Sequence, residues 1–225
     1  MNRQEIKMKA KEIVKNNLGN FWRGYAFILI LSYVLQFLVL KISSFKVFDK
    51  CLFMIDLLDS EQCLFSKIDI VGSIGSILIT LIIAPLSFGF IYYILKLIRK
   101  ENLDVNDIFK FKNNFLVIFI LNLIIAFLTE IGYVFLIIPG IIISLNYALV
   151  SYVYADKQAS IKDTLKESRE LITGYRLDYL IFNLSFIGWM ILSVLTFGVL
   201  LIWVLPYYQI SQALYYENLQ KIKNC

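Results

Sequence analysis

Long apolar runs limit how this chain can fold more than any other feature. Tyr25 to Leu40, Ile77 to Leu95, Phe115 to Leu128 and Val199 to Leu205 show neither alternating nor one-faced helical spacing. A helix that is apolar all round faces lipid or the interior of a membrane protein. In Phe115 to Leu128, twelve of fourteen residues are Phe, Leu, Ile or Val, each favouring insertion by roughly 0.3–0.6 kcal/mol at a helix centre. The run therefore gains roughly 4–7 kcal/mol as an upper figure, less what Asn122 subtracts. Composition agrees, with 59% apolar and 17% charged residues against about 45–50% and 25% in soluble domains. Membrane β-barrel strands alternate apolar and polar residues, and these runs do not. The fold class expected is all-α, a polytopic transmembrane helical bundle with amphipathic interfacial helices, in a single membrane domain over 1–225.

About six spans are expected, at 22–40, 71–95, 115–131, 133–154, 179–197 and 199–216, with an outer loop at 41–70. The hairpin between the third and fourth spans turns either at Thr129-Glu130-Ile131-Gly132 or at Pro139-Gly140. The first is preferred, since a carboxylate is costly at the bilayer centre while a proline kink is tolerated there. Of 22 Lys and Arg residues, 18 fall in 1–23, 96–112, 155–177 and the tail after Tyr216. This positive-inside bias predicts cytoplasmic N- and C-termini. Tyr25, Tyr92, Tyr93, Tyr152, Tyr154, Tyr175, Tyr179, Tyr215 and Tyr216 all fall near the same interface, where an apolar ring with a wet tip is suited. Basic residues spread over four short segments are a topology signal, so no nucleic-acid partner is expected.

Residues 1–20 have Ile6, Ala10, Ile13 and Val14 on one helical face. They read as an amphipathic helix on the inner leaflet, or as one packed against the protein's own loops. A second amphipathic helix is expected over 160–173, capped by Ser160 with Asp163 and ended by Gly174.

Chemistry-bearing residues are sparse. The chain has no histidine, the commonest general base and metal ligand, and no phosphate loop or metal-spaced Cys cluster. No catalytic residue, metal or cofactor is expected. Inside the spans, Gln36, Asn122, Asn146, Asn183 and Gln209 either bond helices together or line a polar path. Pro206 cannot donate to the Ile202 carbonyl, which frees an acceptor at membrane depth. The expected polar and packing centre is Asn183, Gly188, Trp189, Trp203, Pro206, Tyr207 and Gln209, with Glu130 and Asn146 as secondary candidates. Cys51 and Cys63 share the outer loop and are either a disulfide or two free thiols.

The strings Ile138-Pro139-Gly140-Ile141-Ile142, Tyr147, Ser168-Arg169-Glu170-Leu171 with Gly174, and Leu184-Ser185-Phe186-Ile187-Gly188-Trp189 resemble a family of small bacterial polytopic membrane proteins. So do Thr196-Phe197-Gly198, Trp203, Pro206-Tyr207 and Tyr216-Glu217-Asn218-Leu219. That family is catalogued as domain of unknown function nine hundred and seventy-five, and the likeness is densest from Ile138 to Leu219. The resemblance implies a bacterial plasma-membrane location and no assigned activity. The chain is also distantly similar to the membrane portion attached to some glycerophosphodiester phosphodiesterases, whose catalytic part it lacks. Three functions compete. One is a non-enzymatic protein working through lipid or protein partners, with a homo-oligomer or a membrane-protein partner both open, in an accessory, immunity or envelope-homeostasis role. The others are a small transporter or channel subunit, and an intramembrane lipid-modifying enzyme.

Overall fold

The structure, a computed structural model, describes residues 3–54 and 70–224. It is all-α, with no strand among the described residues. The helices are α1 (Arg3–Met54), α2 (Ile70–Arg99), α3 (Phe115–Phe135), α4 (Ile137–Tyr147), α5 (Val150–Lys157), α6 (Ile161–Ile172), α7 (Arg176–Leu195) and α8 (Leu201–Asn224). Two 3-10 turns, Val105–Phe109 and Lys112–Asn114, lie between α2 and α3.

The 52 residues of α1 span about 78 Å, far more than a hydrocarbon core of about 30 Å. The helix is broken at Asn17 (φ −129°, ψ 19°), whose side-chain amide donates to the Ile13 carbonyl at 3.2 Å and satisfies an acceptor that the break releases. The expected surface helix and first span are therefore one kinked element. Its amphipathic part does not offer its apolar stripe to a leaflet. Ile6, Ala10 and Val14 are buried in the main core with residues of α2, α7 and α8. Helix α1 also runs to Met54, past the expected loop boundary at residue 40. The rest of that loop, 55–69, lies outside the described residues.

The turn between α3 and α4 falls at neither expected place. Helix α3 continues through Glu130 and Gly132 to Phe135, and Leu136 adopts extended geometry (φ −169°, ψ 154°). Pro139 then sits in the first turn of α4, where its missing N–H has no helical acceptor to lose. The two helices approach closely because both faces carry glycine. A Cβ on Gly132 would lie 2.9 Å from the Gly140 Cα. Helix α6 begins as expected, with the Ser160 hydroxyl accepting from the Asp163 N–H at 3.2 Å. Just past its end, Gly174 takes a positive φ of 90°.

Polar pairs show how the chain traverses the bundle. Arg3 at the start of α1 pairs with Asp178 at the start of α7 (3.2 Å), and Tyr215 of α8 donates to the same carboxylate (3.0 Å). Arg99 at the end of α2 meets Asp156 at the end of α5 and Glu217 of α8, both at 2.6 Å. Asn114, at the entry to α3, donates to the Tyr154 hydroxyl of α5 (2.9 Å). The starts of α1, α3 and α7 and the ends of α2, α5 and α8 therefore share one charged end of the bundle. Opposite it lie the α3–α4 and α7–α8 turns.

Among the described residues, five helical stretches are long and apolar enough to cross a membrane: Arg3–Val39, Ile82–Arg99, Val105–Phe135, Ile137–Lys157 and Arg176–Leu195. Helix α8 is not among them. It is the central helix, with Ile210, Ser211, Gln212, Ala213, Tyr215, Tyr216 and Leu219 all buried. A helix whose middle is enclosed by other helices need not be apolar there, because its polar groups can bond to its neighbours.

The 3-10 turns are pressed onto α2 at Gly89, where an added Cβ would lie 2.8 Å from the Ile108 Cα and closer still to its carbonyl group. Ile108 is fully buried. Gly89→Ala should lower stability by about 1–3 kcal/mol, because backbone must move to admit the methyl group. Gly19→Ala, with nothing within 4 Å of the new atom, should be neutral or stabilising by up to about 1 kcal/mol. Thermal unfolding of the two variants in detergent checks the contrast.

Candidate functional site

The polar centre of the bundle lies between α7 and α8. Tyr179 and Asn183 are four residues apart on α7, and Tyr208 and Gln212 are four apart on α8, so each pair shares one helical face. The Asn183 side-chain oxygen accepts from the Tyr208 hydroxyl (3.0 Å) and from the Gln212 amide. Its own amide donates to the Tyr179 carbonyl (2.9 Å). The Tyr179 hydroxyl donates to the Gln212 carbonyl oxygen at 2.8 Å. Tyr179, Asn183 and Gln212 thus close a ring of bonds through the Tyr179 backbone carbonyl, Tyr208 adds one more bond to it, and no member is ionised.

Helix α1 completes this region. The Trp22 indole N–H donates to the Ile202 carbonyl at 3.2 Å, the acceptor that Pro206 leaves without its helical donor. The freed group is therefore taken by the protein itself. Near the charged end, the Lys7 ammonium donates to the Ser185 hydroxyl and stands 4.8 Å from the Phe186 ring centroid.

The expected site residues separate. Asn183 is the hinge of the network and Pro206 is buried. The Tyr207 ring packs on Phe186 (5.1 Å) and stays outside the ring of bonds. Gln209 is half-buried, and Gly188, Trp189 and Trp203 face outward. Around Gly188 there is open space. Glu130 is exposed on α3, as are Gln36 on α1 and Asn122 on α3. Asn146 is buried; its backbone carbonyl accepts from the Ser168 hydroxyl (3.0 Å), and its side-chain oxygen has no partner among the described residues. Cys63 lies outside the described residues, as does the side chain of Cys51 in the last turn of α1.

The charged end holds a second network, absent from the expected polar centre, although Tyr216 and Glu217 belong to one of the quoted strings. Arg99 grips Asp156 through two nitrogens (2.6 and 3.0 Å) and also reaches Glu217. Tyr216 donates to Asp156 at 3.1 Å, and Gln220 reaches both. Burial alone would raise the Asp156 carboxyl, but the Arg99 guanidinium, with Tyr216 and Gln220, holds it below its ordinary value of 3.8. The signals available in the sequence were the Tyr216-Glu217 string and, far from it, Arg99 near a helix end; nothing local joins the two. Nearby, Lys96 bonds Asp107 (2.7 Å), which raises the lysine pKa.

Residues 131–223, from the last turns of α3 through α8, match the model of a family described as "Protein of unknown function (DUF975)". Both polar networks draw on this stretch, while Trp22 and Arg99 reach them from outside it. No curated protein and no solved structure matches the chain.

Two outcomes follow from this geometry. Asn183→Leu strands the Tyr208 hydroxyl and the Gln212 amide and should cost about 1–3 kcal/mol, whereas Tyr207→Phe should stay within about 0.5 kcal/mol of the parent. Equal losses in thermal unfolding would place the working face at Tyr207 instead. Asp156, held below 3.8, stabilises the fold while ionised. Its contribution is present above that value and is lost as the pH falls through the lower folded value. Melting temperatures from about pH 6 to about pH 3 should therefore fall less steeply for Asp156→Asn than for the parent.

Proposed function

We propose that this is a multi-pass integral protein of a bacterial plasma membrane, crossing the bilayer six times with both termini cytoplasmic. It works without chemistry of its own, through lipid or protein partners, in an accessory, immunity or envelope-homeostasis role. The observation that carries the reading is the way polarity is distributed. Apolar side chains such as Phe37, Leu116, Leu123, Phe127 and Ile187 are exposed, while Tyr179, Asn183, Tyr208 and Gln212 bond one another between α7 and α8. Every ion pair among the described residues lies at one end. That inversion of a soluble protein's surface fits a hydrocarbon solvent. With α8 as the sixth pass, entry and exit at the charged end agree with the excess of Lys and Arg there.

Support for a protein partner comes from Gln36 and Asn122, two amides exposed on otherwise apolar flanks. An amide left in hydrocarbon without a bond is costly, and a second helix from a partner or another copy would satisfy it. A transporter or channel is the second reading. The observation favouring it is the unpartnered buried oxygens of Asn146 and Ser211, which would suit a polar path.

The topology is tested with single-cysteine variants in intact cells. A membrane-impermeant thiol reagent should label a lone cysteine at 51 or 63 and spare one at 225 until the cells are opened. Labelling of Cys225 in intact cells overturns the orientation.

A further inference from the structure

The α7–α8 turn is built unlike a turn that meets water. Between Asp178 and Glu217 the sequence has no charged residue, and the turn exposes Val194, Leu195, Phe197 and Val199. Its backbone is closed on itself. Phe197 N–H bonds the Val194 carbonyl and Gly198 N–H bonds Ser193, while Val199, Leu201 and Trp203 N–H groups bond Thr196, Gly198 and Leu200. The Thr196 hydroxyl donates back to Leu192 (3.0 Å) and accepts from the Leu200 N–H (3.4 Å). Buried or lipid-exposed backbone must be paired in this way, whereas a wet turn has water for the purpose.

Length gives a second, independent measure. At 1.5 Å per residue, Phe197 lies about 28 Å from Asp178, and Leu201 about 24 Å from Glu217. Both carboxylates belong to the charged end. A hydrocarbon core is about 30 Å thick, so the hairpin stops short of its far boundary, and any tilt shortens it further. Phe197 supplies a third observation. It stands at the left-handed position that closes the helix, with φ of 49°, where glycine is the usual residue, and 99% of its surface is exposed. Placing a phenyl ring at a strained position with no contact inside the chain suggests a use outside it.

We propose that the α7–α8 turn is immersed in the far leaflet, with Phe197 anchored among lipid acyl chains, so that this hairpin enters the membrane from the charged end and returns without meeting water on the other side. The inference rests on the membrane reading given above and replaces its fifth and sixth crossings with one hairpin that stays within the bilayer. It also explains why Thr196 is the only polar side chain between Val194 and Pro206 and why its hydroxyl is turned back onto the helix.

The test is a spin label at Phe197→Cys in the full chain with its three native cysteines replaced, reconstituted in phospholipid nanodiscs. Val199→Cys serves as a second position on the same turn. Leu123→Cys, on the exposed flank of α3, marks the membrane interior, and Lys166→Cys, at the charged end, marks water. Collisions with oxygen, which partitions into lipid, are compared with collisions with a water-soluble nickel chelate. The label at 197 or 199 should lose chelate contact relative to position 166 and gain oxygen contact, as at position 123. Chelate contact at 197 and 199 equal to that at 166, with 123 protected, overturns the immersed turn and leaves the membrane reading standing. Protection from both reagents means that protein covers the turn, a second copy included, and also overturns it. A wet label at 123 sinks the membrane reading itself.

Discussion

A helix with polar side chains in an apolar surrounding is held by the partners those groups find, and α8 imposes that demand on the whole bundle. From Leu201 to Gln220 it presents a proline-freed carbonyl, a tyrosine and glutamine pair, and a tyrosine and glutamate pair. Each is met from a different direction. Trp22 of α1 reaches the Ile202 carbonyl, Asn183 of α7 reaches Tyr208 and Gln212, and Arg99 of α2 with Asp156 of α5 gathers Tyr216 and Glu217. Apolar contact alone would let the surrounding helices slide or rotate, since lipid tails are as apolar as leucine. Directional bonds to one central helix fix their register.

The same condition separates the two ends of the molecule. At the charged end, guanidinium, ammonium and carboxylate groups meet within bonding distance, and aromatic rings such as Tyr92 stack beneath cations (Lys110 at 3.5 Å). At the other end, the α3–α4 and α7–α8 turns carry isoleucine, leucine, valine and phenylalanine. Their stability comes from glycine-mediated closeness at Gly132 and Gly140 and from backbone bonds closed within the turn. One chain thus uses ion pairs at one end and self-satisfied backbone at the other.

Particular residues show how far the sequence could be followed. The sequence points to a polar centre on the last hairpin that includes Asn183, which is hydrogen-bonded, and Pro206, which is buried. It then chose Tyr207 and Gln209, whereas Tyr208 and Gln212 make the bonds. A step of one residue turns a helix by about 100°, and in a helix polar on several sides nothing local says which face meets the neighbour. The freed Ile202 carbonyl was foreseen, but its donor sits 180 residues away in the sequence, and no spacing rule connects the two. The α3–α4 turn departs from both expected vertices for a related reason. The cost of Glu130 in hydrocarbon drew the expected vertex to it, yet the helix runs on, because the close approach of Gly132 to Gly140 sets where the hairpin closes.

By itself the sequence determined the class of fold, because 59% apolar residues in runs of helical length admit few other solutions. It determined the polarity of the bundle as well, since Lys and Arg cluster in the segments that form the charged end. Capping of α6 was also local, needing only Ser160 and Asp163. Tertiary structure decided which face each helix turns inward and whether the stripe of Ile6, Ala10 and Val14 met lipid or protein. It also decided which distant group answered each unpaired polar atom. The physical reason is that insertion and capping depend on the composition of a segment, whereas a hydrogen bond between helices depends on the relative rotation of two segments that only the packed bundle sets.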